Sequence, residues 1–244
     1  MPDMIYLKGK RIFLISSISL IISYISGVEI YGESPAGLPV KPDSIEKQIL
    51  YNGRAWRNLY TKIKGDPFLF STDFLPGNVT IGKRIFENLN LKYDIFNDEL
   101  LIITDRGLIL QVNHEMIDYF NLTWLDRKYL FKRIEADSLN SLSGFVNVLY
   151  DGNTPLYIKY RKEILLLAVE NKYDMFNQVQ KVYIKKEGRI ILINSRRDFL
   201  NQLKDRQQQI KSYIRSNKLS VRKNDPLSFR PVLEYYDKLG QSRN

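Results

Sequence analysis

Between residues 74 and 112 the chain alternates apolar and polar positions in short bursts, each closed by turn residues: FLPGNVTIGKRIFENLNLKYDIFNDELLIITDRGLILQV. Leu89, Leu91, Tyr93 and Ile95 interleave with Asn90, Lys92 and Asp94. This period of two puts one row of side chains on a buried face and the other in water. Val79 and Ile81 alternate around Thr80, Gly82-Lys83 turns the chain, and Ile85-Phe86 opens the next strand. Pro76-Gly77-Asn78 reads as the turn that starts the series, and Asn97-Asp98 as a later one. LLIIT and LILQV are then strands joined through the hairpin turn Asp105-Arg106-Gly107. Strict alternation of this kind belongs to antiparallel meanders with one solvated face.

The following hundred residues continue the β pattern less evenly. Met116, Ile117, Phe120 and Leu122 fit a short helix or a strand, while Tyr129, Phe131 and Ile134 indicate a strand. Residues 144–148 are β-like, and Asp151-Gly152-Asn153 is a hairpin turn. It leads into a segment where Leu156, Ile158 and Tyr160 alternate with Tyr157, Lys159 and Arg161. Residues 172–178 read as a polar connection. Val179, Tyr183, the turn Glu187-Gly188-Arg189 and the run IILI close the β region near Asn194.

At Ser195 the period becomes helical. Ser195 and Asp198 fit a capping box, and Phe199, Leu203, Ile210 and Ile214 fall on one stripe. The expectation is one helix from Arg196 to about Asn217, kinked near Asp205. A last helix should follow Pro231, with Val232, Tyr235, Tyr236 and Leu239 as its apolar stripe and Gly240 as its stop.

The amino end differs in kind. Lys8, Lys10 and Arg11 precede an uncharged apolar run, which is the layout of a secretory signal peptide over residues 1–27. That run is shorter than the roughly 20 residues a spanning helix needs. Residues 28–48 are rich in Pro, Gly and Ser and read as a linker or extended arm, in which Ser44 caps a short helix. Ser44 and Lys47 repeat the S-x-x-K spacing of penicillin-binding enzymes, but the companion S-D-N and K-T-G signatures are missing, so the spacing is read as coincidence.

Composition narrows the chemistry. With 244 residues, 44% hydrophobic and 26% charged, the chain can bury a substantial core. The lack of Cys excludes disulfides, thiolate nucleophiles and zinc–thiolate sites, and the single histidine, His114, leaves no room for a His-rich metal site. His114 stands beside Glu115 and Asp118, as a carboxylate-oriented general base would, but no nucleophile accompanies it and it is read as a turn histidine. Asp94, Asp98, Glu99 and Asp105 crowd the hairpin ends. Paired carboxylates hydrolyse glycosides when suitably separated, yet turns use Asp routinely for local hydrogen bonds. No Walker A, H-E-x-x-H, G-x-S-x-G or calcium-loop pattern occurs. The sequence therefore assigns no catalytic residue, no cofactor and no metal.

The net charge of +10 is concentrated in residues 195–244, which hold twelve basic against five acidic residues. Arg196, Arg197, Lys204, Arg206, Lys211, Arg215 and Lys218 are the candidates for an anion- or partner-binding surface. An acidic protein patch or anionic lipid head groups suit an exported protein; nucleic acid does not.

Three stretches resemble a known group. They are YNGRAWRNLYTKIKGDPFLF, the core FLPGNVTIGKRIFENLNLKYDIFNDELLI, and INSRRDFLNQLKDRQQQIKSYIRSNKLSV followed by VLEYYDKL. Within them Gly77, Val79, Gly82, Phe86, Asn88, Leu89, Leu91, Tyr93 and Asp94 carry the central motif, and Tyr235 and Tyr236 match a late tyrosine pair. In these the chain resembles a family of uncharacterised exported Bacteroidota proteins. The resemblance implies a cell-envelope protein, periplasmic or outer-membrane-associated, and transfers no activity.

The sequence thus predicts an α+β protein: a signal peptide (1–27), an arm (28–48), a mainly antiparallel β domain (49–194) forming a twisted sheet or half-open barrel, and a basic helical segment (195–244) packed on it. The expected function is a non-enzymatic, protein-binding accessory subunit of an envelope assembly. Alternatives are a lipid or lipoprotein carrier with an apolar cavity, and a carboxylate enzyme acting on envelope glycans.

Overall fold

The computed structural model describes residues 38–39, 44–136, 142–166 and 174–241. The expected signal peptide and most of the arm lie outside these. The first elements are β1 (Leu38–Pro39), α1 (Ser44–Tyr51) and β2 (Arg54–Ala55). Next come β3 (Leu75–Ile81), β4 (Arg84–Asp94), β5 (Glu99–Ile103) and β6 (Ile109–Gln111). A short 3-10 turn, His114–Met116, leads to β7 (Ile117–Trp124), β8 (Arg127–Ile134), β9 (Gly144–Tyr150), β10 (Leu156–Leu165), β11 (Met175–Lys186) and β12 (Arg189–Ile193). Eleven strands hydrogen-bond in the order β12-β11-β10-β9-β8-β7-β3-β4-β5-β6-β2, every pair antiparallel, and β1 adds in parallel against β4. With the helices that follow, this is the α+β class read from the sequence.

The turns at Gly82-Lys83, Asn97-Asp98 and Glu187-Gly188 join strands as the sequence reading has them. Gly82 and Lys83 both take positive φ (55° and 71°), the geometry of a hairpin turn that matches strand twist. Pro76-Gly77-Asn78, expected as a turn, is instead inside β3. Gly77 pairs with Leu89 and Val79 with Phe86, so β4 sets Glu87 and Asn88 against the single Asn78. Asn88 takes the left-handed conformation (φ 56°), and its N–H donates to the Asn78 side-chain oxygen at 3.2 Å. This bulge shifts the buried row from Phe86 to Leu91 and Tyr93. Gly77 is required here because a Cβ would stand 2.1 Å from the Asn121 carbonyl oxygen of β7.

A second correction concerns residues 172–178. Met175 to Gln178 are not a connection but the start of β11, paired residue for residue with β10 from Leu165↔Met175 onward. Gln178 shares a face with Phe176 and Asn177 takes the other; Phe176 is buried against Tyr60 and Phe96 with ring centroids 5.6 and 5.4 Å away.

The sheet curls without closing into a barrel. Residues 64–69 lace the two sides of the curl: the Lys64 N–H donates to Asp174 O at 2.8 Å, Leu69 N–H to Tyr93 O and Ile95 N–H to Pro67 O, both at 2.9 Å. One further backbone bond, Lys162 N–H to Ile95 O at 3.2 Å, spans the gap directly. Inside the curl Phe86, Tyr93, Phe120, Phe131 and Phe145 are each no more than 1% exposed. Phe120 stacks on Phe131 at 4.7 Å, and Tyr93 meets both edge-on at 5.2 Å.

The carboxyl-terminal helices cover the other half of the sheet. They are α2 (Arg196–Gln202), α3 (Gln207–Ser216) and α4 (Arg230–Gln241). The Ser195 side chain caps α2, accepting from the Asp198 N–H at 3.0 Å. The single kinked helix expected from 196 to 217 is two helices with a 3-10 turn, Lys204–Arg206, between them. Asp205 in that turn is fixed by Lys186 Nζ of β11 and by the Tyr236 hydroxyl of α4, each at 2.9 Å. Phe199, Leu203, Ile210, Ile214, Phe229, Val232 and Leu233 pack on Leu156, Ile158, Val182, Ile184 and Ile193. In α4 the buried face is Val232, Leu233 and Asp237, and the helix runs through Gly240. Asp237 is buried because it accepts from the Tyr150 hydroxyl (2.8 Å), the Thr154 N–H (2.9 Å) and the Thr154 hydroxyl (2.7 Å). The tyrosine pair is structural: Tyr235 stacks on Tyr213 at 4.0 Å, and Tyr236 holds Asp205.

Candidate functional site

Five titratable groups with shifted titration, Tyr93, Asp94, Asp98, Glu99 and Lys159, meet at the β4–β5 turn. Asp94 begins it as an Asx turn: its Oδ1 accepts from the N–H groups of Phe96 and Asn97, and its Oδ2 from the Asn97 amide, all at 2.9 Å. This places Asp98 in the left-handed region (φ 62°) and points its carboxylate across the curl toward β9 and β10. There Asp98 accepts from Lys159 Nζ at 2.8 Å, from the Phe145 N–H at 3.2 Å and from the Tyr93 hydroxyl. Lys159, 3% exposed, gives a second hydrogen bond to the Phe145 carbonyl at 2.9 Å. His114 Nε2 lies 3.8 Å from Asp98 Oδ2, beyond hydrogen-bond length, and its ring rests against Phe145 with centroids 4.5 Å apart.

Close approach at this point requires Gly144. Its φ is +80°, and a Cβ would fall 1.7 Å from Asp98 Oδ2 and 2.9 Å from Lys159 Nζ. Electrostatics follow from burial and pairing. Burial alone would push the Asp98 carboxyl up; His114, Lys159 and Tyr93 outweigh it and hold the group below its ordinary range. Burial lowers Lys159, which Asp98 offsets only in part, and burial followed by Asp98 raises the Tyr93 hydroxyl well above its ordinary value. Glu99 is raised by burial and by the nearby charge of Asp94, with Gln111 donating to it.

A pocket of about 810 Å³ opens over this cluster, lined by Glu99, His114, Glu115, Arg133, Glu135 and Arg161 among others. Pockets with perturbed titratable groups are the usual place to look for catalysis. In this pocket Asp98 and Lys159 are engaged with each other and with Phe145, while Glu99, Glu115 and Glu135 line the same opening. Asp98 is ionised and accepts three hydrogen bonds, and Lys159 is sealed behind it with two acceptors of its own. A general base needs a carboxylate free to take a proton, and a nucleophilic lysine needs access; neither condition holds for this pair. The arrangement is a clasp that ties the β4–β5 turn to β9 and β10. Among the described residues no group of three His, Asp or Glu side chains is placed to hold a metal ion.

The basic candidates named from the sequence lie on the carboxyl-terminal helices, away from the Asp98–Lys159 cluster. Arg196 and Arg197 are in the first turn of α2, Lys204 in the 3-10 turn, Lys211 and Arg215 one helical turn apart on α3, and Lys218 just beyond it. All six are exposed and make no ion pair among the described residues. Arg206 is different: half-buried, it donates from Nη1 to the Leu239 carbonyl at 2.6 Å and so secures the end of α4. The sequence missed the Asp98–Lys159 clasp. The one signal for it was a lysine in the same alternating row as Tyr157, in a strand that is buried on both faces from Leu156 to Lys159.

Fold and site define an open, curled antiparallel sheet with a helical cap and an internally neutralised charged centre. No family model matches the chain, and no curated protein or solved structure matches it either. No helix among the described residues is long and apolar enough to cross a membrane.

Proposed function

We propose that the protein is a non-enzymatic, exported cell-envelope protein that binds a protein partner as an accessory subunit of a periplasmic or outer-membrane assembly. The observation that supports this most is the set of six exposed cations, without an ion-pair partner among the described residues, on helices whose apolar faces pack on the sheet. A segment with twelve basic against five acidic residues attracts an acidic partner at long range and biases its orientation on contact. Carriage of a lipid draws no support from an interior filled by Phe86, Tyr93, Phe120, Phe131 and Phe145. Hydrolysis of glycans draws none from a carboxylate cluster whose central member is fully engaged.

The test is native co-purification from the envelope fraction of cells expressing either the wild type or a variant carrying Arg196→Glu, Arg197→Glu, Lys211→Glu and Arg215→Glu. The wild type should elute as a complex that weakens with salt, and the variant, folded equally well, as a monomer. A wild type that stays monomeric at low salt, or a variant that assembles as before, overturns the reading. Vesicles of anionic and of zwitterionic lipid, added to the purified protein, separate the partner-protein reading from membrane attachment.

A further inference from the structure

A second pocket, of about 700 Å³, shares no lining residue with the first and has a different chemistry. Its floor is one face of the β10–β11 pair. Tyr160 stands directly opposite Gln180, and Lys162 opposite Gln178, so the four side chains form a square on the sheet. Its wall is aromatic. Phe70 stacks on Trp124 with centroids 4.8 Å apart and planes 7° from parallel, packs against Tyr129 at 4.4 Å and meets Tyr160 at 6.2 Å, so the face of Trp124 turned away from Phe70 is the one without a ring partner among the described residues. Phe70 is held in the left-handed region (φ 69°), a conformation that a bulky residue keeps only where its surroundings impose it. Ser71 and Thr72 follow it along the rim.

The carboxamides of Gln178 and Gln180 and the hydroxyl of Tyr160 make no hydrogen bond among the described residues. The charges, by contrast, cancel. Lys162 Nζ donates to the Asp66 carbonyl at 2.7 Å and to Asp66 Oδ1 at 3.2 Å, which leaves no free cation for a phosphate or carboxylate ligand.

We propose that the pocket between the Phe70–Trp124 wall and the Tyr160–Gln178–Gln180 floor binds a neutral oligosaccharide. Sugar rings have an apolar side of C–H groups, which carry partial positive charge and pack on the electron-rich face of an aromatic ring. Their hydroxyls both donate and accept, as carboxamides and a phenol do, and an orientation is fixed by a few such groups. The clasp uses Asp98 and Lys159 and has no part in this pocket. The site is independent of the cationic helices, so either proposal can fail without the other.

Trp56 and Trp124 are the two tryptophans of the chain, so Trp56→Phe leaves Trp124 as the sole indole reporter. In that background the full-length protein is titrated with chitotriose, maltotriose and mannotriose, and the Trp124 emission is followed. At least one of the three should give a saturable change. Adding Gln178→Ala and Gln180→Ala, two exposed positions, should weaken the response about tenfold or more with the melting temperature unchanged. A flat response to all three sugars overturns the proposal, as does an unaltered affinity in the double glutamine variant. Adenosine monophosphate, which stacks but carries charge, should give no saturable change; a response to it in place of the sugars also overturns the proposal.

Discussion

Removing the Asp98 carboxylate leaves Lys159 as a buried cation without its counter-ion. Lys159 is 3% exposed, and after Asp98→Ala its ammonium retains only the Phe145 carbonyl at 2.9 Å. The Phe145 N–H and the Tyr93 hydroxyl lose an acceptor at the same time. Breaking a buried pair by deleting one partner costs about 3–5 kcal/mol. Asp98 itself is 27% exposed, so water reaches the vacated space and the lower end, about 3 kcal/mol, is expected. Urea unfolding at pH 7 should then show the midpoint lowered by about 1 M or more with the slope unchanged. Deleting both charges, as Asp98→Ala with Lys159→Met, should recover at least about 1 kcal/mol of that loss, because no unpaired charge remains buried.

The pH dependence gives an independent reading with a definite sign. In the wild type the Asp98 carboxyl lies below its unfolded value, so its contribution is complete above about pH 4 and disappears as pH falls through the folded pKa. The Lys159 ammonium is lowered by burial, so on raising pH the folded protein releases its proton before the unfolded chain does. The unfolded state then binds more protons, and this group makes stability rise with pH until about 10.4, the unfolded lysine value. Asp98 counteracts that lowering in the wild type. Without Asp98 the rise between pH 7 and 10 must be steeper. A variant within 1 kcal/mol of wild type, or one with an unchanged pH slope, would refute the clasp and make Asp98–Lys159 equivalent to a solvent-screened surface pair.

Gly144→Ala should destabilise by about 3 kcal/mol or more, since it adds a left-handed strain to a clash with the paired Asp98 and Lys159 atoms. Its cost should shrink in the Asp98→Ala background, where the nearest clashing atoms are gone, and a double-mutant cycle by urea unfolding measures the difference. Glu187→Asn should stabilise by about 0.5–1 kcal/mol: Glu187 is exposed at φ 51° before Gly188, and Asn-Gly is the preferred pair for that two-residue hairpin. A thermal melt that does not move upward counts against the turn assignment.

Periodicity made much of this fold legible. The period of two along 89–95 located β4, Gly-containing dipeptides located the hairpins, and the change of period at Ser195 located the helical cap with its side-chain cap intact. Local signals misled where a neighbouring strand decided the outcome. Pro76-Gly77-Asn78 has turn composition, yet β7 lies so close that only glycine fits beside Asn121, and the segment is drawn into the sheet. Residues 175–178 have the polarity of a loop, yet β10 supplies a full ladder of partners and Phe176 an anchor. The helix expected to span 196–217 breaks where Asp205 is claimed by side chains from β11 and α4.

The same division separates the surface from the centre. The exposure of Arg196, Arg197, Lys204, Lys211, Arg215 and Lys218 was legible in the sequence, because the apolar positions Phe199, Leu203, Ile210 and Ile214 that must be buried leave them to solvent; only Arg206 departs, drawn inward by a carbonyl of α4. The clasp and the aromatic pocket were decided by tertiary structure. Asp98 and Lys159 are 61 residues apart, and Lys162 and Asp66 are 96 apart. Nothing in the local pattern of either stretch pairs them. They meet because the sheet curls, and the curl follows from how eleven strands twist and bulge against one another, which no single stretch of sequence contains.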